Sequence, residues 1–294
     1  MDEFNKYKDG SSLPPAAPGQ PRYLASKETA LAVNTALAAE LPLLVTGEPG
    51  TGKTSLAASI SWQLELGRVY RFDTRSDHVA RDLLYSFDSL ARFHDAQIGS
   101  RRALEVGAYI RYEALGAAIV DTINLKRHRV VLIDEIDKAP RDFPNDLLDA
   151  IDRMAFRIQE TDQEFMAPPE LRPIVIITTN GERQLPDPFL RRCVFHHIPF
   201  PDAEHLQRIV HEHFPEPSPI YEAAVARLEK LRKESGGLLT RQPGTAELLA
   251  WVKVLVRSLG PNPDTSQIRS GQLPFAGVLL KAQEDLEHVL RASA

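Results

Sequence analysis

Leu41-Pro42-Leu43-Leu44-Val45-Thr46-Gly47-Glu48-Pro49-Gly50-Thr51-Gly52-Lys53-Thr54 decides the fold of this chain. An apolar run of strand length leads into eight residues, Gly47 to Thr54, that have the spacing of a phosphate-binding loop. Gly47, Gly50 and Gly52 let consecutive backbone N–H groups turn inward around phosphate oxygens. Lys53 reaches the β and γ phosphates, and the Thr54 hydroxyl supplies a hard oxygen ligand for Mg²⁺. Glu48, Pro49, Thr51 and Ser55 complete the nucleotide-binding set. Ser55-Leu56-Ala57-Ala58-Ser59-Ile60 then opens a helix whose positive end faces the same anion. Strand, loop and helix in that order begin an α/β unit that binds a nucleoside triphosphate.

Working outward, the pattern of the unit repeats. Arg68 to Phe72, Val130 to Ile133 and Ile174 to Thr179 are short apolar or β-branched runs, and Val194 to Ile198 is a last short strand. Runs without alternation are buried on both faces, which places them in a parallel sheet covered by helices. The covering helices are expected at Lys27 to Glu40, within Thr74 to Ala96, at Ala108 to Leu125 and at Asp142 to Met154. Arg153 to Ile158 and Glu164 to Met166, split by polar residues 159 to 163, predict a β-hairpin. After Pro199-Phe200-Pro201-Asp202 the strands stop. Helices follow at Ala203 to His213, Ile220 to Lys233, Thr245 to Leu259 and Phe275 to Ala292, with Asp202 as an N-cap and a loop from Gly260 to Gln272. The expected domains are therefore a flexible tail at 1–22, poor in large apolar groups, an α/β nucleotide-binding core at 23–200 and a helical domain at 201–294.

The strand Val130 to Ile133 runs into Asp134-Glu135. Adjacent acids can simply end a strand at the surface; beside a phosphate loop they have the pattern of a Walker B motif. At that end of a parallel strand Asp134 holds Mg²⁺ through its water shell, and Glu135 polarises the water that attacks the γ phosphate. Asn180 ends the strand Ile174 to Thr179 at the same sheet edge, where its amide orients that water or touches the γ phosphate. Arg191 and Arg192 close a short helix and are placed to project toward a neighbouring subunit's nucleotide, one of them stabilising charge on the transferring phosphoryl group.

Composition bounds the alternatives. The 294 residues carry a net charge of −5 with both signs interspersed, so no basic face calls for nucleic acid, and that partner is set aside. The single cysteine, Cys193, excludes an intramolecular disulfide framework and fits a reducing, cytoplasmic compartment. No signal pattern and no apolar stretch of about 20 residues points to a membrane.

The order of phosphate loop, Leu132-Ile133-Asp134-Glu135, Thr179-Asn180 and Arg191-Arg192, followed by helices, resembles the AAA+ ATPases. Ala32 to Leu37, the loop itself and Ile133-Asp134-Glu135-Ile136-Asp137-Lys138-Ala139 are most similar to the MoxR branch. The resemblance covers roughly residues 23 to 258. It implies an AAA+ core with a C-terminal helical lid, ATP and Mg²⁺ as cofactors, and a homo-oligomeric ring, usually of six subunits, with ATP between neighbours. It also implies a protein substrate, a partner carrying a von Willebrand factor A domain, and a hairpin at 153–166 that faces the ring or a partner. One feature departs from the family: the lid arginine expected near the γ phosphate has only Arg241, before Pro243, as a displaced candidate. Two readings of function stand, an ATP-driven protein remodeller and a slow ATP-dependent switch or scaffold that recruits an effector. A small-molecule kinase would not need Asp134-Glu135, Asn180 and the arginines, and a nucleic-acid motor would be expected to bring a nucleic-acid module.

Overall fold

The computed structural model describes residues 6–10, 23–234, 239–260, 263–270 and 272–292. Helix α1 (Lys27–Ala39) starts on Ser26, whose side-chain oxygen accepts from the Thr29 N–H at 3.1 Å. It leads to strand β1 (Leu43–Thr46), the phosphate loop and α2 (Lys53–Gln63). Strand β2 (Val69–Asp73) is followed by β3 (Tyr85–Phe87), α3 (Ser89–Gln97), β4 (Ile110–Tyr112) and α4 (Ala114–Leu125). Then come β5 (Val130–Asp134), α5 (Phe143–Asp146), α6 (Leu148–Arg153), β6 (Ala155–Ile158), β7 (Gln163–Met166), β8 (Ile174–Thr179), α7 (Asp187–Leu190) and β9 (Val194–His197).

Five of these strands form one parallel sheet in the order β2-β5-β8-β1-β9. All five residues of β5 are buried, as the unalternating run Val130 to Ile133 requires. Register sorts the faces. Leu44, Ile133 and Ile177 lie opposite one another and share a core with Leu115, Ala118 and Ile119 of α4. Leu43, Leu132 and Ile176 point the other way and are equally buried, on the side where Leu56 and Ile60 of α2 pack. This is the α/β parallel sheet between helices that the sequence predicts.

The helical region comprises α8 (Ala203–His213), α9 (Pro219–Glu234), α10 (Thr245–Leu259), α11 (Ser266–Ser270), α12 (Ala276–Leu279) and α13 (Gln283–Ala292). Asp202 caps α8, accepting from the His205 N–H at 2.8 Å. Leu206, Ile220, Leu228, Leu248, Val252 and Trp251 make its core, and the Trp251 indole N–H donates to the Pro274 carbonyl at 2.7 Å. Among the described residues the chain divides into two compact units. One holds 6–10, 25–47 and 53–197; the other holds 23–24, 48–52 and the residues from 198 onward. The tip of the phosphate loop thus groups with the helical region.

Three expected helices are corrected. Within the segment 1–22 read as a tail, residues 6–10 hold one packed side chain. Tyr7 is buried, its N–H donates to Asn34 Oδ1 at 2.9 Å, the Asn34 amide returns a bond to the Tyr7 carbonyl at 2.8 Å, and its hydroxyl lies 2.9 Å from Ser59 Oγ. Burial pushes the Tyr7 phenol up to about 12. The rest of that tail lies outside the described residues. The helix expected from Ala108 begins only at Ala114, because Ile110 to Tyr112 pairs with Tyr85 to Phe87 as an antiparallel ribbon. Gly116 of α4 passes so close to this ribbon that a Cβ would sit 1.9 Å from the Leu84 carbonyl oxygen. The helix expected from Asp142 to Met154 is two short ones that meet at Leu147, ended by Met154 in the left-handed region. The last expected helix breaks at Leu280, whose backbone is extended, and the loop before it contains α11. The expected hairpin is present as β6 and β7.

Candidate active site

Gly50 and Gly52 take φ of 81° and 89°, the left-handed region that side chains resist, so the loop turns where its glycines fall. Thr51 stiffens it by donating from Oγ1 to the Glu48 carbonyl at 2.9 Å. Lys53 is the first residue of α2; it is buried, and its ammonium donates to the Gly47 carbonyl at 2.7 Å. Thr54 follows on the same turn, Ser55 is exposed, and Glu48, Pro49 and Gly50 are exposed at the tip.

The loop helix meets the end of β5 through Thr54. Its hydroxyl lies 3.1 and 3.2 Å from the two carboxylate oxygens of Asp134, a residue only 6% exposed. Thr178 on β8 donates to Asp134 Oδ1 at 2.6 Å, and Arg71 on β2 donates to Oδ2 at 3.0 Å. The oxygens of a buried carboxylate are thus satisfied by three donors. Glu135 leaves the strand at φ 54°, ψ 53°, and its N–H donates to Thr178 Oγ1 at 2.9 Å. A non-glycine residue held there is strained, a cost that surrounding structure bears most often at functional sites.

Both oxygens of Glu135 are engaged. Asn180 Nδ2 donates to Oε1 at 3.1 Å, and Lys138 pairs with Oε2. The hydrogen bond to Glu135 holds the exposed Lys138 ammonium above the usual lysine range. Asp137, buried, fixes the turn after β8: its Oδ2 accepts the Asn180 N–H at 3.1 Å and the Glu182 N–H at 3.0 Å. Asp134, Glu135, Asn180 and Thr54 are therefore brought together at one end of the sheet.

The donor set fits the group expected there. A hydroxyl and a carboxylate, both hard oxygen donors, are what Mg²⁺ takes, with the remaining positions left to water and phosphate. Thr54 and Asp134 would hold it, and residues 47–54 would hold the triphosphate.

The two arginines after α7 differ. Arg192 is committed within its own chain, with Nε on Asp152 Oδ2 at 2.7 Å and Nη1 on the Pro188 carbonyl at 3.0 Å. Arg191 is exposed and forms no ion pair among the described residues. Neither bonds to Asp134, Glu135 or Asn180 among those residues. Arg241 lies on the loop before α10, its N–H donating to Asp285 Oδ2 at 3.2 Å and its side chain exposed. Cys193 donates weakly to the Phe189 carbonyl, and burial pushes its thiol up to about 12.

Arg71, Asp137, Lys138 and Thr178 carry no role in the sequence motifs above. Asp137 and Lys138 lie inside the quoted stretch Ile133 to Ala139, where their spacing from Glu135 was a usable signal. Thr178 is hidden inside an apolar run, and Arg71 has no local mark.

The family model described as AAA domain (dynein-related subfamily) matches residues 42–193. The chain is also 29% identical over 244 residues to a protein named Lon protease from Heliobacterium modesticaldum (strain ATCC 51547 / Ice1), an alignment covering 78% of this chain. It covers only 27% of that relative's length. Among the described residues no helix is long and apolar enough to cross a membrane.

Proposed function

The chain belongs to the AAA domain family, dynein-related subfamily, and from that premise we propose that it is an ATP-hydrolysing ring protein that remodels a protein partner, with ATP bound where subunits meet. The observation that carries this reading is the contact of the Thr54 hydroxyl with both oxygens of Asp134, beside Glu135 and Asn180. Backbone N–H groups of residues 47–54 other than Pro49 bind phosphate oxygens, and Lys53 neutralises them. Thr54 and Asp134 would hold Mg²⁺, which would supply charge screening for the transferring phosphoryl group. Glu135 accepts the proton of the attacking water while Asn180 orients that water. Arg191 is the residue offered to a neighbour's nucleotide, because Arg192 is already paired with Asp152. The MoxR branch, a ring of six, a von Willebrand factor A domain partner and a cytoplasmic setting belong to the same reading. They rest on the stretches Leu43 to Thr54 and Ile133 to Ala139 and, for the setting, on the lone cysteine. Proteolysis is not carried over from the Lon similarity.

One observation favours the second reading, a slow switch. With Asn180 donating to one of its oxygens and Lys138 to the other, Glu135 has fewer open lone-pair sites to offer an attacking water. Binding of a fluorescent ATP analogue and phosphate release, measured side by side, test the assignment. Lys53→Ala should abolish tight binding. Glu135→Gln should keep it and slow hydrolysis by about 10²- to 10⁴-fold. Equal loss of binding in both variants would contradict the roles given to Lys53 and Glu135.

A further inference from the structure

Arg232 sits on the last turn of α9 with its side chain only 15% exposed. Its guanidinium lies 3.5 Å above the Phe200 ring, Nη1 donates to the Pro243 carbonyl at 2.9 Å, and Nη2 donates to Glu48 Oε2 at 2.7 Å. Glu48 belongs to the phosphate loop, and the backbone just beyond it is packed against the start of α10. A Cβ at Gly244 would lie 2.9 Å from the Pro49 carbonyl oxygen, so only glycine fits there. Phe200, the Pro243 carbonyl and Glu48 thus surround one guanidinium.

We propose that Arg232 is a positioning residue for nucleotide binding, acting on the phosphate loop through Glu48. The proposal rests on the reading that this loop binds ATP. A glutamate in a loop that must receive a triphosphate is an electrostatic liability, since its charge repels the ligand at short range. Arg232 removes that liability by neutralising the carboxylate and holding it in place. The guanidinium suits the task because it stacks on an aromatic face while its fork bonds two separate oxygens, which an ammonium cannot do in the same way. Its rotamer is already fixed by Phe200 and Pro243, so engaging Glu48 costs little further order. No arginine occupies the start of α10, where the sequence reads Pro243-Gly244-Thr245-Ala246. Arg232 gives the helical region a charged link to the loop from another helix.

The test is a charge cycle read as the Kd of a fluorescent ATP analogue with Mg²⁺, with melting temperature as the check on folding. Arg232→Ala should weaken binding roughly tenfold, the size of a coupling between charges in contact. Adding Glu48→Gln to that variant should recover most of the lost affinity, a rescue that a merely structural role would not give. Glu48→Gln alone completes the cycle, and Arg232→Ala made in that background should cost far less affinity than the same change made in the wild type. Arg232→Lys, which keeps the charge and disturbs the fold least, should lie between wild type and Arg232→Ala. An unrescued loss in a folded Arg232→Ala/Glu48→Gln protein would overturn the proposal and assign Arg232 to the nucleotide itself. So would an unchanged Kd in Arg232→Ala, or a loss in Arg232→Lys as large as in Arg232→Ala. Wild-type protein that binds no better than Lys53→Ala would overturn the ATP reading and the proposal together; wild-type binding without the rescue would remove only the proposal.

Discussion

At the end of β5, Asp134 and Glu135 are crowded by donors: two threonine hydroxyls, a guanidinium, an ammonium and an amide, each with a named acceptor. At the start of α10 the opposite holds. Gly244 has no side chain to offer, Glu247 reaches back to its N–H at 3.0 Å, and the buried Thr245 hydroxyl has no hydrogen-bond partner among the described residues. Charge chemistry is concentrated in the sheet unit, where neighbouring strands over-determine each side chain. The helical region touches the phosphate loop mainly through backbone and one ion pair. Chemistry needs geometry fixed to a few tenths of an ångström, and strand ends in adjacent register supply it.

The contrast can be broken most forcefully by loosening α10. Trp251 is fully buried on that helix, and Trp251→Ala should cost about 3–5 kcal/mol of stability, read by urea unfolding. If the two regions are as different as described, Glu135→Gln should not change that loss. The next effect lies at the sheet end. Asp137→Ala frees the N–H groups of Asn180 and Glu182, each bond to a charged acceptor being worth about 1.5–3 kcal/mol. Turnover should fall roughly tenfold with the KM for ATP nearly unchanged. A raised KM with unchanged kcat would mean that Asp137 shapes binding and not the placement of Asn180. The smallest effect is acidic. Burial holds His205 below the usual histidine range, and its Nε2 lies 3.0 Å from the Leu24 carbonyl. A depressed folded-state pKa contributes stability that is present above the ordinary value of about 6.5 and lost as pH falls through the folded value. His205→Gln should therefore flatten a slight loss of melting temperature below pH 6.5, and an unchanged slope would remove His205 from the account.

How much of this was legible follows the same contrast. The sheet could be read because strands buried on both faces leave unbroken apolar runs, and the loop because its glycines fall where left-handed backbone is needed. Asp134, Glu135 and Asn180 followed from their places at strand ends. What escaped was long-range. Arg232 and Glu48 are 184 residues apart, and nothing local marks either as the other's partner. The bond between Arg192 and Asp152, 40 residues upstream, has no local mark in the sequence either. Tyr7 sat in a proline-rich and glycine-rich segment whose composition hid one anchoring side chain. The β3–β4 ribbon was overlooked because its strands are three residues each, too short for a period to register.

The central claim, an active site completed by a neighbouring subunit, is tested most directly by steady-state ATP hydrolysis per subunit against protein concentration, with Lys53→Ala as the blank. The account predicts turnover that climbs as subunits associate, that is lost in Arg191→Ala with ATP binding intact, and that partly returns when Arg191→Ala is mixed with Glu135→Gln. Turnover per subunit that is constant from the lowest concentration upward, in a protein shown to be monomeric there and indifferent to Arg191→Ala, would contradict it.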